Sequence, residues 1–248
     1  LCLGIVPATG LIRAAASTPG NLLVLVGSET GRDGIHGASG LASRTFEEEV
    51  ELRPTVQVGN PFMEKVLIEA CLEVAQAGLL EGMQDLGAAG LTSSIVESAA
   101  RGGTGFELDV ARVPRRATDM TPYEVMLSES QERMVLYVSP DNLAPVRAIL
   151  DKWDTPCTVI GQITTDGIAR VFDGDTPVGR LPVEMLTHPP IYDVEGEKPA
   201  FLSELQGFDL TALPLPREQQ GDVLLKLLGS PNIASKEWIY RQYDHQVQ

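Results

Sequence analysis

The sequence predicts an α+β fold in which a mixed β-sheet is layered with helices. Short apolar runs such as Leu22–Val26, bounded by Asn21 and Gly27, are typical of buried strands. Between these runs lie longer segments in which apolar residues recur every three or four positions, as on one face of a helix. Strands that are interleaved with helices and followed by a terminal hairpin indicate a mixed sheet with helices packed on it.

Seven runs of residues predict the strands of this sheet. They are Leu22–Val26, Gly82–Gln84, Phe106–Val110, Met134–Val138, Val159–Ile163, Ala169–Phe172 and Val178–Leu181. Phe106–Val110 alternates between apolar and polar residues, which is the pattern of a half-buried strand. Asp173–Pro177 contains the residues expected of the turn between the last two strands.

Capping residues predict where the helices begin and end. Asn60 can cap a helix that has Pro61 in its first turn and ends at Gly78. A second helix is predicted to begin near Thr92 or Ser93 and to end by Gly102. The apolar face of the first helix is predicted to contain Phe62, Val66, Leu67, Ala70, Cys71 and Val74.

Two further helices follow. Thr121-Pro122-Tyr123-Glu124 has a capping residue, a proline at the first helical position and an acid three residues after the cap, so a short helix is predicted to begin there. It is predicted to end at 128–130. Asp141–Trp153 has an amphipathic pattern and tolerates Pro145, because a proline near the first turn removes no helical hydrogen bond.

Composition excludes several classes of protein. The net charge of −15 and the aromatic content of 5% argue against a nucleic-acid binder, which usually has a basic face and stacking aromatics. We interpret the only tight basic cluster, Arg112, Arg115 and Arg116, as part of a solvated loop. No apolar stretch approaches the ~20 residues of a membrane span. Three scattered cysteines without CxxC spacing favour a reducing, cytoplasmic compartment and no structural zinc.

The segment Gln84–Gly90 is the first candidate for chemistry. A carboxylate at the end of a strand, Asp85, precedes small residues that open a helix. The backbone of such a segment can approach a phosphate closely, and Asp85 could hold Mg²⁺. Taken alone, the segment is more typical of a tight strand-to-helix turn that Asp85 caps, since glycine-rich turns are common.

Three other segments carry polar groups in positions that suit a ligand. Ser128-Glu129-Ser130 places two hydroxyl groups beside a carboxylate just after a helix, Gln57 precedes the capped helix, and the glycine-rich loop holds Arg32 and His36. Taken alone, each of these is also typical of a polar surface loop. For His36 a structural hydrogen bond is the simpler interpretation than acid–base catalysis.

Together these segments are much more specific than any one of them. In their order and spacing they resemble the synthetase subunits of phosphoribosylformylglycinamidine synthase, and the resemblance covers essentially the whole chain. The segments that carry it are Gly31–Ala38, Val56–Lys65, Gln84–Leu91, Leu127–Met134 and Ser230–His245.

The resemblance implies a three-layer α/β/α sandwich of the aminoimidazole-ribonucleotide-synthetase C-terminal type over residues 1–190. Prolines after Thr187 predict a linker, and by resemblance residues 191–248 are this linker and the opening of a next, truncated domain. The family uses ATP to activate the amide oxygen of formylglycinamide ribonucleotide as an iminophosphate, which ammonia then attacks. It works with a glutaminase subunit and a small accessory subunit.

Residue roles follow from the same resemblance. Gln57 and Ser128-Glu129-Ser130 would contact the ribonucleotide, and Asp85 would be a Mg²⁺ ligand. The family's catalytic histidines and ATP-contacting lysine belong to a preceding domain, so this chain is expected to be inactive alone. Position 60 is Asn where the family usually has Asp. The alternatives are a sister ATP-dependent enzyme of the same superfamily and a non-catalytic scaffold domain of a multi-subunit complex.

Overall fold

A seven-stranded mixed sheet organises the part of the chain that the computed structural model describes, namely residues 5, 10–35, 58–188, 191, 193, 196–214 and 219–239. Its strands are β1 (Leu22–Gly27), β2 (Gly82–Asp85), β3 (Gly105–Asp109), β4 (Arg133–Val138), β5 (Cys157–Thr164), β6 (Ile168–Asp173) and β7 (Thr176–Pro182). The order across the sheet is β2-β4-β1-β5-β3-β6-β7. Each neighbouring pair is antiparallel except β3 and β6, which are parallel.

Helices cover the sheet on two sides. Those in the first part of the chain are α1 (Pro61–Gln76), α2 (Gly90–Gly102), α3 (Pro122–Leu127), α4 (Leu143–Lys152) and α5 (Val183–Thr187). On the central strand, Leu23 and Leu25 join a buried cluster with residues of α2, α3 and α5. Val24 and Val26 point to the other face, where they join a second cluster with residues of α1 and α4. Because side chains alternate along a strand, β1 supplies both cores, and the predicted α/β/α layering is confirmed.

The start of α1 follows its capping residues. The side chain of Asn60 accepts a hydrogen bond from the Met63 N–H at 3.2 Å, and Pro61 is in the first turn. The buried face consists of Leu67, Ala70, Cys71 and Val74. Phe62 was predicted to share this face, and that was wrong. Its side chain is 78% exposed because α1 is buried against the sheet only from Leu67 onward.

The seven predicted strands and the caps at Asn60 and Thr121 are present, with boundaries that differ by a few residues, whereas α2 begins at Gly90, ahead of the predicted Thr92 or Ser93, and its N-cap residue is Ala89. Thr121 and Glu124 form the predicted capping box of α3, with Thr121 N–H donating to Glu124 at 2.8 Å. The predicted helix over Asp141–Trp153 is divided into a short 3₁₀ turn, Pro140–Asn142, and α4.

Backbone contacts divide the chain into two units, Leu1–Ile191 and Tyr192–Gln248. The second unit contains α6 (Ala200–Gln206), a 3₁₀ turn (Leu210–Ala212) and α7 (Gln220–Leu228). The linker predicted here from its prolines therefore includes a short helix. Pro199 is the N-cap residue of α6, where its restricted φ suits the entry to a helix. None of the helices in the described ranges is long and apolar enough to cross a membrane.

Candidate functional site

Two of the predicted ligand-binding segments lie at the same end of the sheet. β2 ends at Asp85, which is paired with Met134 near the start of β4. The turn at residues 128–130 connects α3 to β4 and therefore lies just ahead of that pair. The end of β1 pairs Gly27 with Arg133, which brings the loop after β1 to the same place.

The two serine side chains of the turn are fully buried and bind the loop after β1. Ser128 Oγ donates to the Gly31 carbonyl at 2.6 Å, and Ser130 Oγ accepts from the Gly31 N–H at 2.8 Å. The two hydroxyl oxygens are 3.1 Å apart. Ser130 Oγ also donates to the carboxylate of Asp33. These hydroxyl groups thus join two segments of the protein to each other.

Glu129 is held from two sides. Its backbone N–H donates to the Asp33 carbonyl at 2.8 Å. Its Oε1 accepts a hydrogen bond of 3.0 Å from the N–H of Ala89, the N-cap residue of α2. A carboxylate at this position interacts favourably with the positive end of the helix dipole. Gly90 follows with φ +50°, and a Cβ there would lie 2.0 Å from the Ser128 carbonyl oxygen, so the close approach of α2 to the turn requires glycine.

Arg133 lies beneath the turn and is only 3% exposed. Its guanidinium donates to the Ser130 carbonyl at 2.9 Å, to the Ser128 carbonyl at 2.6 Å and to Thr30 Oγ1 at 2.8 Å. Burial lowers the pKa of Arg133 to about 10, so the guanidinium is still protonated at neutral pH.

The basic cluster near residue 115 is more closely tied to the protein than a solvated loop would be. Arg112 has an exposed side chain and pairs with Asp109. Arg115 donates to the carbonyls of Val110 at 2.7 Å and Met120 at 3.2 Å. Arg116 forms an ion pair with Asp33. The interpretation as a solvated loop was therefore wrong for Arg115, whose guanidinium is bound to two backbone carbonyls, whereas Arg112 and Arg116 are exposed.

Arg32 has structural contacts to the segment that leads into α3. Arg32 Nε is 2.7 Å from Glu124 Oε1, and its two amino groups donate to the carbonyls of Thr118 and Asp119. The hydrogen bond from Arg32 is the largest cause that lowers the pKa of Glu124 below its ordinary value. Arg32 thereby fastens the loop after β1 to the start of α3.

Asp85 stands at a cleft and, in contrast to the turn, is exposed. The cleft has a volume of about 390 Å³ and lies beside α1, the end of β2 and the start of β4. Its walls include Leu67, Met83 and Met134, and its polar groups include Gln131 and Glu132. Burial raises the pKa of Cys71, which also lines the cleft, to about 12, so its thiol is not a nucleophile at neutral pH.

The donor at Asp85 has the chemistry that Mg²⁺ prefers, which is carboxylate oxygen. No group of three or more potential ligands among His, Cys, Asp and Glu is assembled in the described residues. Mg²⁺ commonly takes one or two carboxylates and completes its shell with water and substrate phosphates. Asp85 fits that pattern as a single protein ligand, and the described residues do not form an all-protein metal cage.

The structure thus brings Asp85 and the turn at 128–130 together, whereas Gln57 and His36 lie outside the described residues. Sequence reasoning did not single out Gln131, whose amide donates to the Glu129 carbonyl at 3.0 Å and which lines the cleft. It also missed the buried Arg133. Arg133 is the first residue of β4, and its neighbours in the sequence do not indicate that it is buried. The oxygen atoms that accept its hydrogen bonds belong to residues 30, 128 and 130, and the fold brings them together.

A family model for AIR synthase related proteins, C-terminal domain, matches residues 18–174. Curated relatives named phosphoribosylformylglycinamidine synthase subunit PurL match the whole chain. That from Thermomicrobium roseum is 54% identical and that from Moorella thermoacetica is 50% identical, each over 100% of this chain and 34% of the relative. The chain therefore spans about a third of the length of these relatives.

Solved structures of PurL from Thermotoga maritima have the same fold. The one complexed with FGAR superposes with a TM-score of 0.70 at 38% identity, over 77% of this chain and 32% of that one. The one complexed with ATP gives 0.65 at 36% identity, over 78% and 30%. The structure of PurLQS gives 0.66 at 36% identity, over 78% and 30%. By its sequence match over residues 18–174, the chain belongs to the family of AIR synthase related proteins, of which it contains the C-terminal domain.

Proposed function

We propose that this chain is a segment of the synthetase subunit of phosphoribosylformylglycinamidine synthase. This enzyme is an ATP-dependent carbon–nitrogen ligase of de novo purine biosynthesis in the cytoplasm. It converts formylglycinamide ribonucleotide (FGAR) and ammonia to formylglycinamidine ribonucleotide through an iminophosphate. The observation that carries the proposal is the position of Asp85 and the 128–130 turn at one end of the sheet. The whole of this chain is 54% identical to a segment that makes up 34% of a PurL relative.

The turn and the cleft have separate tasks in this proposal. The 128–130 turn, held rigid by Gly31, Asp33 and Arg133, contacts the ribonucleotide together with Gln57 and fixes the position of its amide. A site whose shape is set before the ligand arrives binds it more tightly, because less conformational freedom is lost on binding. A structure of the Thermotoga maritima PurL complexed with FGAR supports FGAR as the substrate.

Asp85 is proposed as a Mg²⁺ ligand that faces the phosphates of ATP. When bound, Mg²⁺ offsets the phosphate charge that gathers as the amide oxygen is phosphorylated. Asp85 suits this task because it is exposed at the end of β2 and lines the cleft. A PurL structure with ATP supports ATP as the co-substrate.

The rest of the active site is proposed to come from elsewhere in the longer protein. Its relatives are about three times as long as this chain, since the chain covers 34% of them. We expect the ATP-binding half to lie in a preceding domain, and ammonia to come from a glutaminase subunit, with a small accessory subunit in the complex. The PurLQS structure of the Thermotoga maritima relative supports such an assembly.

The test is phosphate release by the full-length subunit that contains this chain, supplied with FGAR, ammonium chloride and Mg-ATP. We expect activity in the unmodified subunit and a loss of about 100-fold or more in Asp85→Asn, because the amide removes the charge that holds the metal. The matched control is Asp141→Asn, which removes an exposed carboxylate from the 3₁₀ turn after β4 and should leave activity unchanged.

Each outcome separates one part of the proposal from the rest. A subunit that ignores FGAR but consumes ATP with another substrate would indicate a sister enzyme of the superfamily. An undiminished Asp85→Asn variant would keep the reaction and remove Asp85 from the metal site. Turnover by the isolated 248-residue chain would contradict the shared active site, and loss of subunit assembly with activity intact would favour a scaffold role.

A further inference from the structure

Arg133 combines a buried position with a full positive charge. Its residue is 3% exposed, and a buried charge is costly unless hydrogen bonds and an opposite charge compensate for it. The carboxylate of Asp33 acts on Arg133 as the opposite charge, and Arg116, which pairs with Asp33, opposes it. A protein retains such a group where the geometry of its donors is needed.

The acceptors of Arg133 define what its geometry does. Two of the three are the backbone carbonyls of Ser128 and Ser130, which flank Glu129. Both carbonyls must turn toward the same guanidinium, which presents its N–H groups in one plane as a rigid fork. The third acceptor, Thr30 Oγ1, fixes the guanidinium itself to the loop after β1.

Glu129 is left with one orientation as a result. While its neighbours' carbonyls point to Arg133, its own N–H donates to the Asp33 carbonyl and its carboxylate accepts from the Ala89 N–H. Gln131 follows at the cleft, with its amide on the Glu129 carbonyl. The conformation of the turn is therefore coupled to the cleft through Glu129 and Gln131.

We propose that Arg133 is the positioning residue of the 128–130 turn: its guanidinium draws the carbonyls of Ser128 and Ser130 together and so sets the shape that the ribonucleotide meets. This inference rests on the proposed function, because it assigns Arg133 to the binding of FGAR. The hydrogen bonds of its guanidinium go to the turn and to Thr30, so it acts on affinity through the backbone. A lysine cannot replace it, since an ammonium group lacks the planar fork.

The experiment compares Arg133→Lys with Arg115→Lys in the full-length subunit, by steady-state kinetics with FGAR and with ATP. Arg115 is a matched control because it also donates two hydrogen bonds to backbone carbonyls, but those of Val110 and Met120, away from the turn. We expect the KM for FGAR to rise about tenfold or more in Arg133→Lys, with a change of less than about threefold in kcat and in the KM for ATP. Arg115→Lys should leave all three values unchanged at a similar loss of thermal stability.

An equal KM for FGAR in the unmodified subunit and in a folded Arg133→Lys variant would overturn the positioning role. If Arg133→Lys does not fold, Thr30→Val removes only the third acceptor at nearly constant volume. It should raise the KM for FGAR by about two- to fivefold, because a freed guanidinium holds the turn less firmly; an unchanged KM would overturn the proposal. Failure of the unmodified subunit to use FGAR would instead refute the proposed function, so the two failures are distinguishable.

Discussion

The 128–130 turn and the Asp85 strand end lie at one end of the same sheet, yet they are built in opposite ways. The serine side chains of the turn are fully buried, and their hydroxyl groups bind Gly31 and Asp33. Asp85 is exposed, and among the hydrogen bonds of the described residues its carboxylate accepts one, from the neighbouring Gln84 amide. The polar groups of the turn are thus satisfied by the protein, whereas the Asp85 carboxylate is open to a ligand. Substitutions in the turn should therefore lower stability as well as weaken the binding of FGAR, while those at Asp85 should lower activity with little loss of stability.

The largest effect on stability is expected where the turn touches α2. Gly90→Ala should lower the free energy of unfolding by about 2–5 kcal/mol, because a non-glycine residue is strained at its positive φ and the new Cβ would collide with the Ser128 carbonyl. Gly103→Ala is the control, since Gly103 also has positive φ but no atom lies within 4 Å of its Cβ position. It should cost only about 1–2 kcal/mol. Urea unfolding measures both, and equal losses would mean that the contact with Ser128 contributes nothing.

A smaller loss is expected within the turn itself. Ser130→Ala should cost about 1–3 kcal/mol, because the Gly31 N–H would lose its acceptor and the Asp33 carboxylate a donor. Ser139→Ala is the matched control, since Ser139 is partly exposed and its side chain makes no capping bond; it should stay within about 0.5 kcal/mol. If urea unfolding gives the two variants the same stability, the turn is not completed by the protein in the way described.

The smallest expected effect is a pH dependence at the helix that leads into the turn. The pKa of Glu124 is lowered from 4.5, chiefly by the hydrogen bond from Arg32 and then by that from the Thr121 N–H. A carboxylate whose pKa is lower in the folded state stabilises the fold above the unfolded pKa and loses this contribution as the pH falls through its folded value. The difference in thermal stability between the unmodified chain and Glu124→Gln should therefore shrink as the pH falls from about 6 to about 3. A difference that is constant with pH would show that the Arg32 contact does not act through charge.

Local features of this fold could be predicted from the sequence, while long-range ones could not. The caps at Asn60 and Thr121 and the seven strands are encoded by neighbouring residues, and they were predicted correctly. The parallel pairing of β3 with β6 depends on contacts between distant segments. The exposure of Phe62 was missed for a related reason, since periodicity does not say where along a helix the sheet begins.

The candidate site likewise combines local features that could be predicted from the sequence with long-range features that could not. Asp85 was recognisable because a carboxylate at a strand end before a glycine-rich turn is a local pattern, and the resemblance to a family gave it a role. The roles of Asp85, Gln57 and the 128–130 turn stay predictions until they are tested with ligand. The burial of Arg133 could not be predicted, because the three oxygen atoms that compensate its charge are brought together only by folding.

The central position of β1 has a consequence for how the chain is made. Leu22 pairs with Val138 on one side and with Gln162 on the other, so an early and strongly apolar strand has partners that are synthesised much later. At a synthesis rate of about 5–20 residues per second, β1 would wait roughly 5–20 s for β4 to leave the ribosome. During that interval its backbone and its apolar side chains are without their native neighbours. The nascent polypeptide should therefore depend on chaperones that hold extended apolar segments until the C-terminal half of the domain has emerged.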